Sequence, residues 1–172
     1  AITIALVFLL FRPQQQKAKQ HRAMIDAVKR NELCARWLLQ LVGRSGKGDP
    51  ASRPVDLSRE ERDATVALAV RHGLAPLLHR ALQSSGEWGR WPDHLTRLLD
   101  EQRQATALAN LQRYGEFRRI TRVLGDLGIP VMALKGLHLA ERAYGDISLR
   151  PMSDMDILVP RNRIREAIGA LY

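Results

Sequence analysis

The sequence predicts an α+β fold in which a mostly helical N-terminal region leads into a mixed sheet, and three observations carry that prediction. Leu, Ala and Arg dominate the chain, a composition that favours helix. Apolar residues recur at three- and four-residue steps up to Leu127, and beyond Gly128 the pattern changes to short strand-like runs. Near the end, "LRPMSDMDILVP" (residues 149–160) sets two acids at the head of a strand-forming stretch.

Composition limits what those acids can be doing. The chain has 172 residues, 45% apolar and 26% charged, enough for one domain with a proper core or a small domain plus an appendage. Its single cysteine, Cys34, excludes an internal disulfide framework and a Cys-based zinc site, and is read as a small buried hydrophobe in a reducing, cytoplasmic setting. The formal charge of +9 comes from arginines scattered along helices. That supports a general preference for polyanions, with nucleotides, RNA and anionic headgroups equally open, and predicts no specific reading of DNA.

Taken in order, "AITIALVFLLF" (residues 1–11) is an uncharged run shorter than the about 20 residues a bilayer requires. It is read as a partial transmembrane helix. Arg12, Lys17, Lys19 and Arg22 follow it, as on the cytoplasmic flank of a membrane segment. Residues 33–57 form a junction and linker, richest in Gly and Pro between Gly43 and Pro54. "GRSGKGD" within it lacks the spacing and the Ser or Thr of a phosphate-binding P-loop.

A helical region is expected over 58–127. Ser58 and Glu61 form a capping box, Val66, Leu68, Ala69 and Val70 supply the apolar positions, and His72-Gly73 closes the segment. "LAPLLHRAL" gives a second, shorter helix. His72, His79 and His94 are read as capping or surface residues, because no carboxylate or cysteine stands at metal-ligand spacing from them. Beyond Pro92, Leu95, Leu98, Leu99, Ala105, Leu108, Leu111, Phe117, Ile120, Leu124 and Leu127 describe an apolar stripe on one long helix that contains Gly115. Arg103, Arg113, Arg118, Arg119 and Arg122 then fall on a solvated face.

The chemistry is expected over 128–172. "GIPVMAL" is a strand, "KG" breaks it, "LHLAERAY" is one or two helical turns, and a loop through Gly145 and Pro151 reaches the strand "DMDILV". In an extended strand Asp154, Asp156 and Leu158 share one face. Carboxylates so close repel each other unless a proton, an arginine or a cation lies between them. Mg²⁺ or Mn²⁺ answers that need, since a hard ion of this kind binds through one or two carboxylates and keeps positions for water and phosphates. Lys135 would add positive charge, and Gly136 would let the backbone approach a phosphate.

Two resemblances join this reading. "FLLFRPQQQKAKQHRAMIDAVKRNE" resembles the YajC family, the single-span accessory subunit of the bacterial Sec preprotein translocase, over residues 1–32. It implies tethering to the inner membrane and association with the translocase. "GIPVMALKGLHLAERAYGDISLRPMSDMDILVP", together with "RHGLAPLLHRAL", resembles the largely uncharacterised bacterial nucleotidyltransferases of polymerase-beta-type fold, over about residues 34–172.

The second resemblance implies metal-dependent transfer of a nucleoside monophosphate from a nucleoside triphosphate to an unknown acceptor: a small molecule, a protein side chain or an RNA end. Asp154 and Asp156 would be the catalytic metal ligands, and Lys135, Gly136, Arg150 and Ser153 would line the nucleotide. That fold normally draws a third carboxylate from a later strand. Here about one helix follows the acidic strand, and its Glu166 reads as solvated surface, so a truncated palm is expected over 128–172. The alternative is a membrane-associated accessory subunit of the translocase with an inert nucleotidyltransferase-like part.

Overall fold

The computed structural model of the chain describes residues 19, 22–24, 26, 29, 31–40, 42, 43 and 57–171. The apolar run at 1–11, the Arg12 and Lys17 flank and nearly all of the Gly- and Pro-rich linker lie outside these residues, and with them the partial membrane helix. Among the described residues no helix is long and apolar enough to cross a membrane. Those described between 19 and 33 are helical and exposed.

Helix α1, described at 31–40, 42 and 43, is followed by α2 (Arg59–Arg71), α3 (Ala75–Ser84), a short 3₁₀ turn (Trp88–Arg90) and α4 (Asp93–Asp126). Then come β1 (Met132–Ala133), α5 (Gly136–Arg142), β2 (Ile157–Leu158), a second 3₁₀ turn (Arg161–Arg163) and α6 (Ile164–Leu171). The capping box opens α2 as expected: Ser58 Oγ accepts from Glu61 N–H at 3.2 Å, and Glu61 Oε2 accepts from Ser58 N–H at 2.8 Å. At the end of α4, Ile129 N–H reaches back to Leu124 C=O at 2.8 Å, across Gly128 at φ +65°. This is the glycine helix stop, which needs a residue free of the Cβ clash at positive φ.

Two cores share α4. The first packs α1–α4 around Trp37, Leu38, Val66, Leu78, Leu82, Trp91, Leu95 and Leu99, with Trp37 and Trp91 stacked at 5.6 Å. Cys34 is buried beside it, as expected, and its thiol lies 3.5 Å from Glu61 C=O. Part of the stretch read as junction and linker therefore carries core side chains. The second core is smaller and gathers Leu124, Ile129 and Ala167, with Ile120, Val131 and Val159 against them. Helix α4 has 34 residues and is about 50 Å long, so one rigid element spans both cores.

Three expectations are corrected here. The apolar stripe on α4 does not run through Ala105, Leu108 and Leu111, which are exposed; Leu108 is 61% accessible and Leu111 57%. The stripe that faces inward keeps helical phase from Leu95 and Leu99 through Arg103, Thr106, Asn110 and Tyr114 to Phe117, Ile120 and Leu124. Its middle third is polar because Arg103 and Asn110 bond side chains and main-chain carbonyls of a loop, and Tyr114 a carbonyl of α5. Second, Arg103 and Arg113 are not on a solvated face, since both bond to that loop; Arg118, Arg119 and Arg122 are exposed as expected. Third, His79 is neither cap nor surface: it is 1% exposed and tied into a polar network.

The mixed sheet is, among the described residues, a single antiparallel pair, with Met132 opposite Leu158 and Ala133 opposite Ile157. One further ladder bond, Leu134 N–H to Asp156 C=O at 2.9 Å, extends it. The chain turns away at Lys135, so Asp154 has no strand opposite it. The acids therefore lie in the approach to β2 and not within a strand.

Candidate functional site

The register of the two strands sets the site. Because β1 pairs up to Leu134 and then turns sharply, Lys135 emerges beside the acids that precede β2. Its Nζ lies 3.0 Å from Asp156 Oδ2. The hydrogen bond to Asp156 and the charge of Asp156, with a smaller contribution from Asp154, hold the Lys135 ammonium above the ordinary lysine range. The pair is open to ligands, with side-chain accessibilities of 76% for Lys135 and 39% for Asp156. Ser153 Oγ donates to Asp154 Oδ1 at 3.2 Å, which orients that carboxylate.

Lys135 reaches this position at a cost to its backbone. With φ 45° and ψ −104° it is the one described non-glycine residue at positive φ. Only glycine adopts this combination freely, and strain of this kind persists where the surroundings over-determine it. The "KG" dipeptide suggests the opposite arrangement, with Gly136 taking the unusual angle. Gly136 instead starts α5, and its lack of a Cβ serves packing: a Cβ there would lie 2.7 Å from Met152 Sδ and 3.2 Å from Arg150 Nη1. The space expected to admit a phosphate against the Gly136 backbone is, on its Cβ side, filled by Met152 and Arg150.

The loop 143–153, which carries Arg150 and Ser153, is held by polar side chains of the inward stripe of α4. Asn110, fully buried, donates to the carbonyls of Ile147 at 2.6 Å and Arg150 at 2.8 Å. Arg113 donates to Ser153 C=O at 3.3 Å. Tyr114 donates to Leu137 C=O in α5 at 3.0 Å, and burial, with the charge of Glu141 adding to it, pushes its phenol up so that it remains a hydroxyl donor. Within the loop, Leu149 and Met152 supply the buried apolar anchors.

A second tether lies about two turns earlier on the helix, at Arg103. Arg103 donates from Nε to Ser148 Oγ at 2.9 Å and from Nη2 to Asp146 Oδ2 at 3.2 Å. Asp146 Oδ1 accepts Ser148 N–H at 2.8 Å, closing a turn of the Asx type. Burial opposes ionisation of Asp146, but the bonds from Ser148 and the charge and bond of Arg103 outweigh it and hold the carboxyl below its ordinary value. Behind Arg103, His79 packs its ring edge-on to Trp88. Its Nε2 donates to Asp100 at 2.6 Å, and its Nδ1 accepts from Arg103 at 3.5 Å.

The structure therefore brings Lys135, Asp154, Asp156 and Ser153 together at one exposed end of the sheet, with Gly136 and Arg150 in mutual contact alongside. Arg103, Asn110, Arg113, Tyr114 and Met152 were missed by the sequence reading. The signal for four of them was polar residues continuing the phase of Leu95 and Leu99. Glu166 is paired with Arg163 at 2.6 Å on the surface, in keeping with its reading as surface. Among the described residues no group of three or more His, Cys, Asp or Glu side chains could hold a metal ion.

Two carboxylates in the approach to β2, a lysine on a sharp turn and a tethered arginine loop all lie within the segment that carries the nucleotidyltransferase resemblance. The family model described as "uncharacterised nucleotidyltransferase" matches residues 58–172, and the chain belongs to that family. Neither the curated proteins nor the solved structures contain a match to it.

Proposed function

We propose that the protein transfers a nucleoside monophosphate from a nucleoside triphosphate to an acceptor, using a divalent cation held by Asp154 and Asp156. The observation that carries this reading is the Lys135 ammonium paired with Asp156, two residues from Asp154, at a solvent-open end of the sheet. A position that already attracts one cation has the charge and oxygen donors a hard divalent ion requires, and two carboxylates leave positions for phosphate oxygens and water. When bound, Mg²⁺ or Mn²⁺ neutralises phosphate charge and favours ionisation of the acceptor hydroxyl for in-line attack on the α-phosphorus, with pyrophosphate leaving.

The protein's own groups do the rest. Lys135 supplies a mobile point charge to the triphosphate, whereas Arg150, whose main chain is fixed by Asn110, offers a planar donor fork. Ser153 keeps Asp154 oriented. The long helix below fixes the loop before ligand arrives, so less ordering entropy is lost on binding.

The test is Mn²⁺-dependent binding of a nucleoside triphosphate, followed by pyrophosphate release in the presence of cell-extract acceptors. Asp154→Asn combined with Asp156→Asn should abolish the metal-dependent component. Equal binding by the double variant rejects the reading.

A further inference from the structure

We propose that Lys135 is a resident counter-ion of the acidic pair, displaced when a divalent cation binds and transferred to the incoming triphosphate. The proposal rests on the metal-dependent reading above and adds an order to it: half of the acidic charge is neutralised from within before ligand arrives. Three observations support the exchange. The Lys135 Nζ lies 3.0 Å from Asp156 Oδ2, so it occupies space and lone pairs that a metal at Asp156 would need. Its side chain is 76% accessible, so it can leave without disturbing the core. Its backbone is pinned by the ladder bond from Leu134 on one side and by α5 on the other, and Leu139 N–H closes onto the Lys135 carbonyl at 2.7 Å. The ammonium therefore pivots on its own side-chain bonds from a fixed Cα and stays within reach of a ligand at the acids.

The energetic consequence is coupling. Metal alone must break the ion pair and then tolerate a nearby positive charge. When metal arrives with triphosphate both penalties are offset, because the phosphates give the ammonium a new partner. An exposed ion pair of this kind is worth little on its own, so the exchange is easily reversible and the lysine does not block the site.

The probes are Mn²⁺, followed by loss of the free-ion paramagnetic resonance signal, and inorganic triphosphate, which removes any dependence on the base. Lys135→Met should bind Mn²⁺ alone more tightly than the wild type by about two- to fivefold, yet bind Mn²⁺-triphosphate more weakly. Lys135→Gly, which also relieves the positive φ, should shift both affinities in the same directions and guards against a folding defect in the first variant. Unchanged or weaker Mn²⁺ binding in both variants overturns the proposal, and so does unchanged affinity for Mn²⁺-triphosphate. The Asp154→Asn, Asp156→Asn double variant separates the two levels: if it binds Mn²⁺ like the wild type, the metal reading itself has failed, whatever the lysine variants do.

Discussion

Asn110 donates its side-chain amide to the main-chain carbonyl of Arg150 at 2.8 Å, so a residue in the middle of the long helix fixes the backbone of a residue beside the acids. The same nitrogen reaches Ile147 C=O at 2.6 Å. Removing it leaves two carbonyls without their donor in a buried setting. Asn110→Ala should therefore destabilise the protein by about 2–4 kcal/mol in urea unfolding, and Asn110→Asp by more, because it sets acceptors against acceptors. If Asn110→Ala unfolds at the wild-type urea concentration, the tether is not a structural one.

Arg103 and Asp146 form a half-exposed pair whose value depends on pH. The folded-state pKa of Asp146 is depressed, so its stabilising contribution is fully present above its unfolded value of about 3.9 and is lost as pH falls through the folded value. Asp146→Asn should lower stability at pH 7 and flatten the stability profile below about pH 4. Combined with Arg103→Met, a double-mutant cycle at pH 7 should give a coupling of about 0.5–1 kcal/mol. No coupling would mean that Ser148, and not Asp146, is the partner that matters for Arg103.

The fold was legible in the sequence wherever one interaction decides local structure. The Ser58–Glu61 box is local in sequence and occurs as read, and the change of pattern at Gly128 falls where α4 has ended. The candidate acids and lysine were legible as a motif, and the structure brings Lys135 and Asp156 into contact. The centre of α4 was not legible. Hydrophobicity marks a face that meets an apolar core, but between Arg103 and Tyr114 the inward face meets polar groups of the 143–153 loop and of α5, so it carries donors while Leu108 and Leu111 look outward. His79 failed for a similar reason: its burial depends on Asp100 and Arg103, more than 20 positions away. The backbone angle of Lys135 was not legible either, because it is imposed by the turn out of β1, against the residue's own preference.

Gly136 tests whether the loop and α5 must approach this closely. A methyl group there would lie 2.7 Å from Met152 Sδ and 3.2 Å from Arg150 Nη1. The arginine tip can swing away, but Met152 is 9% exposed and has little room to move. Gly136→Ala should cost about 1–3 kcal/mol of stability, and Met152→Ala in the same chain should recover part of the loss. Because Arg150 is displaced as well, the Gly136→Ala variant should also bind nucleoside triphosphate more weakly. Full triphosphate affinity would show that Arg150 is not placed by this contact.

The strained turn at Lys135 yields the last prediction, in which side chain and backbone pull in opposite directions. Lys135→Ala keeps the Cβ at φ 45° and loses the ion pair, so it retains the strain without the ammonium. Lys135→Gly loses the same ammonium but removes the Cβ clash, at the smaller cost of a more flexible unfolded chain. The glycine variant should therefore have the higher Tm of the two by a few degrees, with triphosphate binding weakened alike in both. Matched melting curves are the measurement. If Lys135→Ala melts as high as Lys135→Gly, the turn stores no strain, and the lysine is held there by packing alone. If the glycine variant melts higher and binds triphosphate less well than the wild type, the lysine is present for its charge, at the expense of an easier turn.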